Sequence, residues 1–275
     1  MSTGTARARS QHVGFPLHSD AVEPRYKILD AWVNAFSTDD LNRIVARTIA
    51  SSEQAVIGNH NLHSLYLFYS NAVMRSFFEI AKYVHVDGMS FVLLAKLLGQ
   101  PISRNERTGY MDWLPSLMEK ARENRWRVFY LGSRPDILEK GIEEIKRRWP
   151  GIEIEGHHGY FNKAKSHEES ESVVKTVQAY APNILMVGMG MPVQERWIFE
   201  NRAELNANVV LACGALIDYV AGAIPLPPRW LGQLGLEWLF RLVTEPRRLW
   251  RRYLLEPMML LGIVLRRRED RFTDH

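Results

Sequence analysis

Asp87 stands in His85-Val86-Asp87-Gly88, directly after an apolar run and before a glycine. A carboxylate in that place can act as a general base at the end of a strand, or cap a helix starting near Met89. A second kind of chemistry is offered by Gly188-Met189-Gly190-Met191-Pro192-Val193-Gln194-Glu195. Tight glycines before a helix N-terminus leave free N–H groups that favour an anion such as phosphate. Gln194 and Glu195 fall in the first turn of that helix, where Glu195 can equally compensate the helix dipole. A dinucleotide fingerprint would need a third glycine, and Val193 stands there, which disfavours a dehydrogenase. Arg107 lies in Arg104-Asn-Glu-Arg107-Thr-Gly-Tyr-Met-Asp112. An arginine in a loop before a helix can clasp a diphosphate with both prongs of its guanidinium, or simply be solvated.

Metal and nucleophile chemistry find less support. His60 and His63 are three apart on an expected helix, without a matching acidic pair, and the adjacent His157 and His158 point in different directions. No Asp-x-Asp pair, Gly-x-Ser-x-Gly elbow or phosphate-binding P-loop occurs. The single cysteine, Cys213, rules out an intramolecular disulfide framework and fits a reducing compartment.

These residues need elements to position them. Arg127-Val-Phe-Tyr-Leu131 reads as a short strand ending at Gly132, followed by a helix over 135–149 that Pro150-Gly151 stops. Ile152–Ile154 is a shorter strand and 167–180 a helix. Asn183–Val187 is a buried strand, 192–205 a helix, and Asn208–Ala212 another strand. Earlier, Ala55–Ile57 and Tyr83–Val86 read as strands, 61–80 and 89–98 as helices, and 26–35 as an additional strand. Strand, glycine turn, helix, strand is the pattern of a Rossmann-like parallel α/β sheet with flanking helices. In such sheets ligands bind at the carboxyl ends of strands, where Asp87, Gly188 and Gly190 fall.

The chain has 275 residues, 46% of them hydrophobic and 24% charged. This suffices for a sizeable core and excludes wholesale disorder. Net charge is +4, but residues 229–268 alone carry nine arginines, three glutamates and no lysine. The basic character is therefore a C-terminal property. There, tryptophans and leucines alternate with arginines in stripes that Pro246 and Pro257 divide into short helices. Three readings suit this basic amphipathic appendage: an anionic membrane surface, a nucleic-acid surface, or a hairpin packed on the body. Trp and Leu interleaved with Arg favour the membrane, and no nucleic-acid motif is present. The longest apolar stretch, Tyr253–Leu265, is shorter than the about 20 residues of a spanning helix. The expected organisation is a flexible leader over 1–24, an α/β domain over 25–228 and a membrane-associating appendage over 229–275.

Several segments match, in order, a known family: Asp87-Gly88, Arg107 to Asp112, Gly156 to Phe161, Ile184 to Trp197, Gly214 to Gly222, and Gly235 to Tyr253. Over roughly residues 50–255 the chain resembles the WecG/TagA/CpsF glycosyltransferases. The resemblance implies an inverting enzyme that needs no cofactor or metal. It would move a sugar from a UDP-sugar to a polyprenyl-diphosphate-linked sugar, on the inner face of the cell membrane, in cell-surface or exopolysaccharide synthesis. It implies that Asp87 is the general base, and that Arg107, Gln194, Glu195 and the C-terminal Arg241, Arg247, Arg248, Arg251 and Arg252 bind substrate. It also allows homo-oligomers. The chain departs from the family's usual residues at Val86, at Val193 and around Gly58-Asn59, which places Asn59 near the donor sugar. The donor the resemblance implies is UDP-glucose or a UDP-N-acetylmannosamine or uronate type; the departures count against N-acetylmannosamine, and Asn59–Ser64 with His85–Met89 is more similar to the branch that adds glucose in xanthan-type assembly. A catalytically silent membrane scaffold is the competing expectation, and it leaves the grouping of Asp87, Arg107, Gln194 and Glu195 without a purpose.

Overall fold

The computed structural model describes residues 24–228, 231 and 235–273, with 266–273 as backbone only. Apart from Pro24, the expected leader lies outside the described residues, as do Arg229, Trp230 and Leu234 of the C-terminal region.

Six strands form one sheet in the order β4-β3-β8-β7-β5-β6, with every neighbouring pair parallel. They are β3 (Ala55–His60), β4 (Tyr83–Val86), β5 (Val128–Gly132), β6 (Ile154–His157), β7 (Ile184–Gly188) and β8 (Val209–Ala212). Preceding them, β1 (Arg25–Ile28) and β2 (Ala31–Asn34) form a separate antiparallel hairpin. The stretch 26–35, expected as one strand, is thus two, turning where Leu29 takes a left-handed backbone. The Asn34 side chain ties the hairpin to the sheet by accepting from the Val84 amide at 3.1 Å.

Alternation along the strands divides the core into two layers. Phe129, Leu131, Leu185 and Val187 face one layer, and Val128, Tyr130, Ile184 and Met186 the other. The first is closed by α2 (Leu62–Ser70), α3 (Ala72–Ile80), α4 (Met89–Leu97), α7 (Glu168–Tyr180) and α8 (Val193–Asn201). The second is closed by α1 (Thr38–Ala50), α5 (Tyr110–Asn124), α6 (Pro135–Arg148) and α9 (Leu216–Val220). The expected helix over 61–80 is broken at Asn71, which is extended and whose side chain accepts from the Val73 amide at 2.9 Å. Such a side chain offers the backbone an alternative to the helix. β3 runs three residues beyond the expected 55–57, so His60 ends a strand and does not share a helix with His63. Its ring is stacked on Phe78 at 3.8 Å.

Because all six strands run one way, their carboxyl ends share one edge. The strand order reverses between β3 and β8 and again between β5 and β7, which opens crevices at that edge. Gly132, Gly188 and Gly214 line it so closely that a Cβ on Gly188 would lie 2.0 Å from the Tyr130 hydroxyl and 2.5 Å from the Gly214 carbonyl. No side chain fits there.

The C-terminal region comprises α10 (Glu237–Thr244), α11 (Pro246–Trp250), a π turn (Arg251–Leu255) and α12 (Glu256–Thr273). Pro246 opens α11, a position that tolerates its missing N–H. Pro257 does not break the chain as expected. The preceding turn widens instead, and the Glu256 amide reaches back to the Arg251 carbonyl, the spacing of a π-bulge. Leu260 and Val264 of α12 are buried against the body, while Met258, Met259, Leu261 and Leu265 are exposed. Among the described residues no helix is long and apolar enough to cross a membrane.

Candidate active site

β4 delivers Asp87 to the sheet edge. The Asp87 amide donates to the His60 carbonyl at 2.9 Å, continuing the β3–β4 ladder by one step. Gly88 follows with φ of +90°, a left-handed turn that a side chain would strain. This turn starts α4 at once and leaves the Asp87 carboxyl at the mouth of a crevice. Asn61, immediately after β3, caps α2 by accepting from the Ser64 amide at 3.0 Å. Its amide nitrogen donates to Asp87 Oδ2 at 3.4 Å.

The C-terminal helices supply the opposite wall. An open cleft of about 210 Å³ is lined by Asn61, Asp87 and Met89 from the body, and by Trp238, Arg241, Arg252 and Tyr253 from α10 and the π turn. Burial raises the Asp87 carboxyl above its ordinary value. Asn61 opposes that rise, followed by the positive fields of Arg107, Arg252 and Arg241. Arg252 is itself pushed below its ordinary value by burial, with the neighbouring Arg241 adding to the effect. Arg241 has a buried Nε without a hydrogen-bond partner. Arg241, Arg252 and two carboxylates, Asp87 and Glu237, thus line this space; Glu237 is held by Arg107, which leaves Arg241 and Arg252 facing Asp87 with room between them for an anionic ligand.

Arg107 reaches the cleft's edge from the loop beside β4, where the Thr108 amide donates to the Val86 carbonyl at 2.8 Å. Its guanidinium is engaged on both prongs. Asp112 accepts at 2.8 Å, and Glu237 of α10 accepts at 3.1 and 3.2 Å. In this arrangement Arg107 ties the C-terminal region to the body.

The glycine-rich segment is arranged differently from the open phosphate cradle expected. Gln194 is fully buried, and its Oε1 accepts from the Gly190 amide at 3.1 Å and the Gly214 amide at 3.0 Å. The chain's own amide fills the place of an anion. Gln194 Nε2 in turn donates to Glu195 Oε1 at 2.8 Å. Glu195 is buried with its other oxygen unpartnered, and burial pushes its carboxyl up to about 7. Asn59 is buried in β3, donating to the Ala212 carbonyl at 2.9 Å, with its Oδ1 unpartnered. The Tyr110 hydroxyl is buried beside the Asn59 side chain. Gly188 serves close packing.

The five C-terminal arginines are sorted by the fold. Arg241 and Arg252 face Asp87. Arg247, Arg248 and Arg251 are exposed, with Arg248 held by Glu245 at 2.6 Å and Arg251 lying 5.5 Å from the Trp250 ring. Asn61, Trp238 and Tyr253 also line the cleft, and sequence reasoning passed over them. Only Asn61 left a signal, the capping pattern Asn61-x-x-Ser64. His60 and His85 are buried beside the site, and burial lowers them to about 3 and about 4. They are therefore neutral packing groups. Among the described residues no cluster of three His, Cys, Asp or Glu side chains is placed to hold a metal.

Comparison with known proteins gives a consistent picture. The family described as "Glycosyl transferase WecG/TagA/CpsF" matches residues 26–273. A Bacillus spizizenii protein is 32% identical over 184 residues, covering 67% of this chain and 68% of that protein. Its name is N-acetylglucosaminyldiphosphoundecaprenol N-acetyl-beta-D-mannosaminyltransferase. A Staphylococcus aureus (strain NCTC 8325 / PS 47) protein of the same name is 27% identical over 203 residues, 74% of each chain.

Proposed function

Since the chain belongs to the WecG/TagA/CpsF glycosyl transferase family, we propose that it transfers a hexose from a UDP-sugar to a polyprenyl-diphosphate-linked sugar at a membrane surface. The observation that carries this reading is Asp87: a carboxyl raised by burial, at a strand end, facing Arg241 and Arg252 across an open cleft.

An acceptor hydroxyl in the cleft attacks the anomeric carbon of the donor from the face opposite UDP. The new C–O bond forms as the bond to the diphosphate oxygen breaks, so the configuration inverts. Asp87 takes the hydroxyl proton, and such a base contributes on the order of 10²–10⁴-fold. Negative charge collects on the departing diphosphate. Arg241 and Arg252 are placed to neutralise it, in surroundings dry enough to strengthen each charge contact. The reaction so written requires no divalent metal.

The donor is proposed at the level of a UDP-hexose. The relatives named above are N-acetylmannosaminyltransferases, which favours that sugar. Asn59, Val86 and Val193 are the grounds for keeping glucose beside it. The C-terminal region is proposed as the membrane contact. Trp238, Leu239, Val243, Leu254, Leu255 and Met258 are exposed there beside Arg247, Arg248 and Arg251. Apolar side chains at the headgroup boundary with arginines toward anionic lipid suit an interfacial site.

The test is UDP release by the purified chain in detergent, with polyprenyl-diphosphate-GlcNAc or -glucose, a panel of UDP-sugars, and EDTA throughout. Acceptor-dependent release with one donor is the expected result. Absence of release and of UDP-sugar binding overturns the reading in favour of a silent scaffold.

A further inference from the structure

α4 starts at the cleft and leads away from it. Its first residue, Met89, lines the cleft beside Asp87 and faces Gly235 of the C-terminal segment. Met89, Leu93 and Leu97 recur every four residues and so share one face of the helix. Phe91, Val92 and Ala95 bury the opposite face in the core. Leu93 and Leu97 are 62% and 61% exposed. Single exposed leucines are ordinary. These two extend the line of apolar side chains that begins inside the cleft with Leu62 and Met89, with the exposed Lys96 beside its far end. At 1.5 Å per residue the stripe is roughly 12 Å long.

We propose that this stripe is the track on which the polyprenyl tail of the acceptor leaves the cleft. The proposal rests on the reading of the acceptor given above. With the acceptor sugar's hydroxyl at Asp87 and Arg241 and Arg252 engaged by the donor, the acceptor's own diphosphate lies a sugar's length away at the cleft mouth, which the first isoprene units must cross before reaching the bilayer. Met89, Leu93 and Leu97 give them a dry surface over that distance. Charge favours the tail over the bilayer as occupant. α4 carries a single charged residue, Lys96, whereas the C-terminal helices pair their apolar side chains with several arginines. An anionic membrane selects the latter, while an uncharged hydrocarbon chain needs only the former.

The test compares wild type with the Leu93→Ser/Leu97→Ser double variant on two acceptors. One is a long-chain polyprenyl-diphosphate-GlcNAc in detergent, and the other is the same diphosphate-sugar on a methyl group. We expect kcat/KM to fall about tenfold for the long-chain acceptor, the scale of uncovering a leucine or two, and to be unchanged for the methyl analogue. Leu97→Ser alone should give a smaller fall of the same sign, which separates the effect from misfolding. In parallel, binding of sugar-free long-chain polyprenyl diphosphate is followed through tryptophan fluorescence, with inorganic pyrophosphate as the tail-less probe. Weaker binding of the long chain alone supports the track even if no donor is turned over, in which case it is the proposed function that fails. Equal losses on both acceptors, or no loss on either, overturn the track while leaving the function in place. Loss of binding to acceptor-free anionic vesicles assigns the stripe to the bilayer, and a change of oligomeric state assigns it to a second copy of the chain. Either result overturns the proposal.

Discussion

The proposed role of Asp87 as general base can be tested by the proton it would accept. Asp87→Asn should lower kcat by about 10²–10⁴-fold with little change in donor binding, measured by UDP release and by titration with UDP-sugar. Because burial raises its carboxyl, the acid limb of the pH–rate profile should lie above the ordinary carboxylate value of 3.8. Activity falls as pH drops through the raised value, because a protonated base cannot take a second proton. Glu195 makes a separate statement about stability. Its carboxyl sits at about 7 in the fold against an ordinary 4.5, so the folded chain holds that proton more tightly than the unfolded one. The stabilisation is complete below the ordinary value and is lost as pH rises through about 7. Between about pH 5 and about pH 8 the Tm of wild type should therefore fall further than that of Glu195→Gln, as scanning calorimetry would show. At this scale the residue types were legible in the sequence and their surroundings were not. Asp87 was identifiable from its place after an apolar run. That Gln194 turns its carbonyl to the Gly190 and Gly214 amides depends on a contact across 20 residues of chain, which no local pattern encodes.

The elements that hold these residues have their own weak points. Gly88 has φ of +90° exactly where α4 must begin beside Asp87. Gly88→Ala should cost on the order of 1–3 kcal/mol in backbone strain and shift the carboxyl with it. Chemical denaturation and kcat should then both fall. Among the polar ties by which the C-terminal helices meet the body are Arg107 with Glu237 and His63 with Glu256 at 2.6 Å. Glu256→Ala should loosen α12 by about 1 kcal/mol, a roughly fivefold rise in local opening. Hydrogen exchange should register it over residues 256–265 and leave the sheet unchanged. Strands β5, β7 and β8 were readable because a strand buried on both faces is a continuous apolar run. β6 starts two residues and ends three residues later than the apolar Ile152–Ile154 suggests, because the paired segment continues through Glu155-Gly156-His157. The break at Asn71 escaped notice because both flanking helices are apolar and only the asparagine side chain marks the join.

As a whole, the molecule sets an α/β body without net charge against a basic end. Attraction between exposed arginines and anionic lipid is screened by salt, with a Debye length of about 10 Å at 0.1 M and about 3 Å at 1 M. Cosedimentation with anionic vesicles should accordingly weaken as salt is raised, and Met258→Glu should weaken it at every salt concentration. The uneven charge and the apolar stripes were visible in the sequence. The sorting of five arginines into two that face Asp87 and three that face outward was not, because it depends on how the last helices dock. Pro257 reads as a breaker by its chemistry. Only the folded chain reveals that the helix widens to accommodate it.

That widened turn sets the angular phase of everything beyond it. Each residue of an α-helix advances the side-chain direction by about 100°, and a π turn inserts one additional residue into the count. The helical turn before it, which carries the buried Leu249, and the segment after it, which carries Leu260 and Val264, are therefore out of step by one residue. A strictly α-helical path would rotate α12 about its axis, bringing Leu260 and Val264 away from the body and Met258 or Leu261 toward it. Deleting one residue between Arg251 and Leu255 would thus leave the composition of this region almost untouched while turning its buried face by about 100°. The one-residue phase difference lets the helical segment that starts at Pro246 aim Arg252 into the cleft near its beginning and present hydrocarbon outward farther along.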